Sequence, residues 1–133
     1  MQKLTEVIAN SPIIIHKDQY CVIKTDKIVH PEKHFMVTRD AEEVTVITLV
    51  TNRSLIPKVL DIRSAFYLIE FQVAVPFEGV GFLATISKAL ADAGLNILVV
   101  STFSRDYLLL KDEDLDIGLR TLSKVGFDIQ NRK

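Results

Sequence analysis

The chain has 133 residues, 48% of them apolar, with 16 basic and 17 acidic side chains and a net charge of −1. That length suits one compact domain or two small fused ones, and it buries enough surface for a core without staples. The balanced charge leaves no electrostatic footprint for nucleic acid or an anionic membrane, the single cysteine, Cys21, excludes an internal disulfide and suits a reducing compartment, and no apolar run approaches the ~20 residues that span a bilayer.

Residues 1–15 have no long apolar core behind a basic start, so no signal peptide is expected and the protein reads as cytoplasmic. Leu4, Val7 and Ile8 stand at helical spacing and give one short turn, ended by Ser11 and Pro12. Two short strands are expected over 13–15 and 19–24, split by the polar His16, Lys17 and Asp18. A loop over 30–33 precedes a short strand over 34–38, a polar turn over 39–43 follows, and the β-branched run 44–50 reads as a strand. The stretch up to Ser64 fits either a helical turn or an extended arm, and the boundary between halves is placed near Arg63, giving 1–63 and 64–133.

The second half is more regular. Residues 67–75 alternate, with Ile69, Phe71, Val73 and Val75 on one face and Glu70, Gln72 and Ala74 on the other, which predicts a half-buried strand ended by Pro76. A helix is expected over 81–93, with Leu83, Ile86 and Leu90 on its apolar stripe and Gly94 as its terminator. Strands are expected over 97–103 and 106–111. Asp112 is expected to cap a second helix whose first turn holds Glu113, Asp114 and Asp116 and whose stripe is Leu115, Leu119 and Leu122. A last strand covers 127–129. The order β-α-β-β-α-β, with a right-handed crossover between its first two strands, is a ferredoxin-like α+β fold with both helices on one face. The first half reads as a degraded version that keeps the strands and lacks the first helix.

One turn is shaped for a small ligand. In Glu78-Gly79-Val80-Gly81 the two glycines let the backbone take unusual angles and approach a ligand closely. The helix that follows presents unpaired N–H groups and partial positive charge at its start, which matches a carboxylate. An ammonium group needs an acceptor, and Glu78, Asn96 or Asp106 can supply one. Other constellations point to no chemistry. His30 and His34 are separated by Pro31 and lack paired acidic or cysteine ligands, so no metal or other cofactor is expected. No phosphate-binding glycine loop, nucleophile elbow or nucleophile–base pair is visible, so the chain is not expected to be an enzyme. The sheet strands lack the stacked aromatics and basic residues of RNA-binding modules.

The run Gly81-Phe82-Leu83-Ala84, then Leu90-Ala91, then Gly94-Leu95-Asn96-Ile97, resembles the ACT domain family of small amino-acid-binding regulatory modules. Glu78 takes the family's acidic place and Gly81 its glycine, while Val80 stands where proline is common. The run Val100-Ser101-Thr102-Phe103-Ser104-Arg105-Asp106-Tyr107 is similar to the aspartate-kinase-type branch, to small stand-alone proteins with two ACT-like halves, and to modules of cytosolic arginine sensors. The resemblance implies tandem ACT-like halves, degenerate over 1–63 and complete over 64–133. It implies a non-catalytic sensor of a free amino acid, held between modules by Phe77, Glu78, Gly79, Val80, Gly81 and Phe82, by Asn96 and Ile97, and by Thr102 and Asp106. It also implies that the ACT-like halves pair, within the chain, between chains or both, with a homodimer or higher even oligomer expected and a metabolic enzyme as regulated partner. The competing reading is a structural adaptor that dimerises or docks to an enzyme with the glycine loop empty.

Overall fold

The computed structural model describes residues 3–73 and 80–131. The chain divides into two compact units, one made of residues 1–17 with 67–133 and the other of 18–66. The sequence places 1–17 with the first half; by contact they belong with the second.

The larger unit begins with α1 (Leu4–Ala9), which buries Val7 and Ile8 and ends where the Ser11 hydroxyl donates to the Val7 carbonyl at 2.6 Å. Strand β1 (Ile13–Thr25) then runs unbroken. The polar trio His16, Lys17 and Asp18 does not split it as expected, because ladder bonds are made by the backbone and do not depend on the polarity of the side chains. Strand β4 (Asp61–Phe71) begins well before residue 67, so Arg63 lies inside a strand. Helix α2 (Phe82–Asp92), the antiparallel strands β5 (Leu98–Ser101) and β6 (Asp106–Lys111), helix α3 (Leu115–Val125) and β7 (Ile129–Asn131) complete the βαββαβ order. The strand order here is β7, β1, β4, β6, β5. β6 therefore lies between β4 and β5, as the crossover rule requires. The opening of β1 pairs in parallel with β7, Ile13 opposite Ile129 and Ile15 opposite Asn131, and so stands between β7 and β4.

α2 and α3 pack side by side on one face of this sheet. Ile13, Ile15, Ile69, Phe71, Leu108 and Leu110 from the strands meet Phe82, Ile86, Leu90 and Leu122 from the helices in one core. Phe71, Phe82 and Phe127 meet edge to face, with centroids 5.2–5.9 Å apart, the arrangement that aromatic quadrupoles favour. α2 ends in a double cap: the Leu95 N–H donates to the Leu90 carbonyl at 3.0 Å and the Gly94 N–H to Ala91 at 2.9 Å. α3 starts differently from the expectation. Asp112–Asp114 form a single 3-10 turn, Asp114 takes the capping position, and no side-chain cap bond forms there. The acidic run still sits where the helix dipole favours negative charge.

The smaller unit contains the rest of β1 and the start of β4, with β2 (Met36–Arg39) and β3 (Val44–Leu49). β1 and β3 pair antiparallel from Tyr20 opposite Leu49 to Thr25 opposite Val44, and β2 pairs with β3. Cys21, Ile23, Val44, Val46 and Ile56 form its core. Cys21 is buried, and burial raises its thiol pKa against the smaller opposing effect of Arg53, so it packs as a small hydrophobe. Asp40 shapes the turn before β3 by accepting from the N–H groups of Glu42 and Glu43 at 2.8 and 3.0 Å. Val50–Leu55 form a 3-10 turn, which settles the stretch that the sequence left open. No helix among the described residues is long and apolar enough to cross a membrane.

Candidate functional site

The expected ligand residues fall into four groups. Phe77, Glu78 and Gly79 lie outside the described residues. Val80, Gly81 and Phe82 open α2. Val80 is 83% exposed, while the Phe82 ring is in the core, which leaves its backbone as the part that can meet a ligand. Gly81 has φ +83°, a left-handed conformation that L side chains rarely adopt, and its carbonyl accepts the first helical bond, from the Thr85 N–H at 2.9 Å. A Cβ there would meet only the Leu4 side chain at 3.7 Å. Conformation, not space, therefore demands glycine at this position.

Thr102 and Asp106 flank the turn between β5 and β6. The Thr102 N–H donates to the Arg105 carbonyl at 2.9 Å, and its hydroxyl donates to the same oxygen at 3.3 Å. The Ser101 hydroxyl donates to Asp106 Oδ1 at 2.6 Å across the register pair that those two residues form. Asp106 alternates in phase with Leu108 and Leu110, both in the core beneath the helices, so the Ser101–Asp106 pair stands on the helix-covered face. β4 and β5 are joined by a helical crossover, so the exit of β4, the start of α2 and the β5–β6 turn lie at one end of the unit. Gly81, Thr102, Ser101 and Asp106 are thereby gathered at that end.

Asn96 and Ile97 are not gathered with them. They follow α2, whose 11 residues at about 1.5 Å each put roughly 16 Å between the two ends of the helix. Asn96 is exposed, and Ile97 packs against the core. Within one copy of the unit, the glycine turn and Asn96 belong to opposite ends.

Sequence reading missed the opposite face of the same end. Glu70 was expected on the open side of a half-buried strand; instead both faces of β4 are covered there, with Leu68, Ile69, Glu70 and Phe71 all buried. The Glu70 side chain is 9% exposed. Its Oε1 accepts from His16 Nε2 at 2.9 Å, and its Oε2 accepts from Gln72 Nε2 and Arg105 Nε, each at 3.3 Å. A carboxylate only accepts, so Nε2 of His16 carries a proton. Burial by itself would raise the Glu70 pKa, but the hydrogen bonds from His16 and Gln72 and the attraction of His16 and Arg105 outweigh it and hold the carboxyl below its ordinary range. The one signal in the sequence is an acidic residue in the middle of an apolar run.

The other histidines are engaged locally. His34 meets Thr48 Oγ1 and the Val29 carbonyl at 2.9 Å each, and no trio of His, Cys, Asp or Glu among the described residues is placed to hold a metal ion. The smaller unit has a cleft of about 270 Å³ lined by Thr25, Asp26, Val29, Pro57 and Lys58. Lys58 donates to Asp26 there at 3.0 Å and thereby lowers the aspartate pKa, and Lys27 adds a second positive charge to the lining.

The ACT domain family model matches residues 64–124. This stretch is an ACT domain. No curated protein sequence matches the chain. Among solved structures, a protein from Agrobacterium tumefaciens superposes with a TM-score of 0.76 at 22% identity, over 92% of this chain and 94% of its own. A putative C-terminal regulatory domain of aspartate kinase from Porphyromonas gingivalis gives 0.58 at 22% identity, over 90% and 99%. The ligand-free regulatory subunit of aspartate kinase from Thermus thermophilus gives 0.65 at 10% identity, over 89% and 97%. Identities this low establish a shared fold. The ACT domain supplies the Gly81 turn, the α2 start and the Ser101–Asp106 pair, while His16, the partner of Glu70, comes from outside the matched stretch.

Proposed function

We propose that the protein is a non-catalytic regulatory module that binds a free amino acid at the Gly81 end of its ACT domain. The reading is supported by a left-handed glycine that opens a helix and a carboxylate held by a serine hydroxyl, which the crossover topology assigns to the same end of the unit. The helix start suits the ligand's carboxylate, and Asp106 suits its ammonium group. Thr102 adds a hydroxyl at the same turn.

Asn96 enters this site from a second copy. β5 ends the strand order, and Leu98 and Val99 are each 42% exposed on it. An apolar edge strand is a template for pairing. Two β5 strands related by a two-fold axis pair antiparallel, which sets the start of one against the end of the other. Asn96 and Ile97 of one copy then face the Thr102 turn of its partner. A homodimer with ligands at its seam follows. Ligand binding favours one arrangement of modules over another and so regulates a metabolic enzyme docked to it.

The test is a melting screen against the standard amino acids. A ligand at 100 times its dissociation constant adds about 2.7 kcal/mol, and each kcal/mol raises melting by roughly 3–6 °C in a domain near this size. The expected shift is therefore about 10 °C for the cognate amino acid, and it is lost in Gly81→Val. Absence of a shift with every amino acid overturns the reading and leaves the exposed β5 edge to support a structural adaptor. A shift that survives Gly81→Val places the ligand elsewhere.

A further inference from the structure

The ligand turn is anchored from the opposite face of the sheet. Its closing bonds, from the Thr102 N–H and hydroxyl, both end on the carbonyl of Arg105. The Arg105 side chain also donates within the turn, from Nη1 to the Ser104 carbonyl at 3.3 Å. Arg105 is 40% exposed, and its Nε donates at 3.3 Å to the buried Glu70, which His16 and Gln72 hold in turn. A short turn between two strands is ordinarily among the least stable parts of a fold. Here a charge-assisted bond to a buried carboxylate fixes it, and such bonds are about twice as strong as neutral ones.

We infer that Glu70 is a positioning residue for the ligand site, holding the Thr102–Asp106 turn through Arg105 without touching the ligand. The inference rests on the reading of the Gly81 end as the site, and on three features of the cluster. The carboxylate is buried, so it does not exchange its partners for water. All three of its partners donate to it, and two of them, His16 and Arg105, form ion pairs with its charge. Glutamine, the closest in shape, serves all three only with its oxygen toward Gln72 and Arg105 and His16 turned to the tautomer whose Nε2 accepts, and it then lacks the charge that strengthens the bond from Arg105. Ser101 and Asp106 also lie on the other face of the sheet, so an effect of Glu70 on them passes through the backbone of the turn.

The experiment measures amide hydrogen exchange across the full-length protein without ligand, in the native chain, in Glu70→Gln, in Arg105→Ala and in the double variant. Exchange at Thr102 is expected to rise roughly tenfold in each single variant and no further in the double. Amides of α3, on the far side of the core, keep their native rates. Arg105 is partly exposed, so Arg105→Ala retains the core even if Glu70→Gln does not fold. Unchanged exchange at Thr102 in Arg105→Ala overturns the inference, and so does a rise spread equally over α3, which marks a general loss of stability. In parallel, the amino acid that stabilises the native protein is expected to bind Arg105→Ala about tenfold more weakly. If no amino acid stabilises the native protein, the ligand reading fails, while the exchange rates still decide whether Glu70 holds the turn.

Discussion

Glu70 sets a pH dependence whose sign follows from its environment. A carboxyl held below its ordinary range contributes stability that is present above the unfolded value of about 4.3 and is lost as pH falls through the folded value. The native protein is therefore expected to exceed Glu70→Gln in stability near neutral pH, with the gap closing as pH drops below about 4. Urea unfolding of both proteins at several pH values measures this, and a gap that stays constant into acid counts against a charged role for Glu70. A second residue has its identity fixed by space. Gly118 of α3 faces β6, and a Cβ there would lie 2.6 Å from Cδ1 of the fully buried Leu110. Alanine improves helix propensity by about 1 kcal/mol, but overpacking a closed core costs about 1–3 kcal/mol. Leu110 is fully buried and its Cδ1 must shift against packed neighbours, so Gly118→Ala is expected to lower the urea midpoint even though it adds a better helix former.

Among the elements, β5 has the most to gain from a partner. It is four residues long, it pairs on one side with β6, and its apolar side chains are exposed on the other flank of the strand order. Phe103, just beyond it, is 84% exposed. A lysine on an edge strand blocks strand addition because its charge must stay in water. Val99→Lys is expected to convert the proposed dimer to a monomer in light scattering while circular dichroism stays native. Val99 is already 42% exposed, so the substitution forces no charge into the core. A variant that remains dimeric would move the interface away from β5. The helices behave differently: α2 and α3 are closed at their ends by Gly94 and Gly126 and packed against the core along one stripe, with Ile117 of α3 as an exposed apolar side chain.

For the whole molecule, the proposed completion of the site by a second copy ties ligand binding to assembly. Linkage requires that a ligand which binds the dimer more tightly also tightens the dimer by the same factor. Sedimentation at micromolar protein, with and without the stabilising amino acid, is expected to show the dimer strengthened by ligand. The thermal shift should fall away in Val99→Lys, although Gly81 and Asp106 are intact in it. A shift of full size in a monomeric Val99→Lys protein would show that one copy holds the whole site and that Asn96 takes no part.

Local pattern determined the elements of the ACT stretch. The expected helix over 81–93 is observed at Phe82–Asp92, and the expected strand over 106–111 at Asp106–Lys111. Gly81 and Gly94 were legible as turn residues because their left-handed backbone is a local property. Side-chain periodicity and turn chemistry act over a few residues, and a single sequence displays them directly. Partnership does not act locally. Ile13 pairs with Ile129 across more than a hundred residues, and nothing in an apolar strand names which other strand it will meet. The continuity of β1 through His16 and the union of residues 1–17 with 67–133 followed only from that pairing. The burial of Glu70 was hidden for the same reason. Alternation placed it opposite Ile69 and Phe71, but whether that face meets water is decided by what folds over it, and by His16 and Arg105 arriving from distant parts of the chain. The candidate site divides along the same line. Glycine turn, serine, threonine and aspartate were visible as residues, while the length of α2 and the direction of the crossover decided that Gly81 and Asp106 share one end and that Asn96 stands at the other.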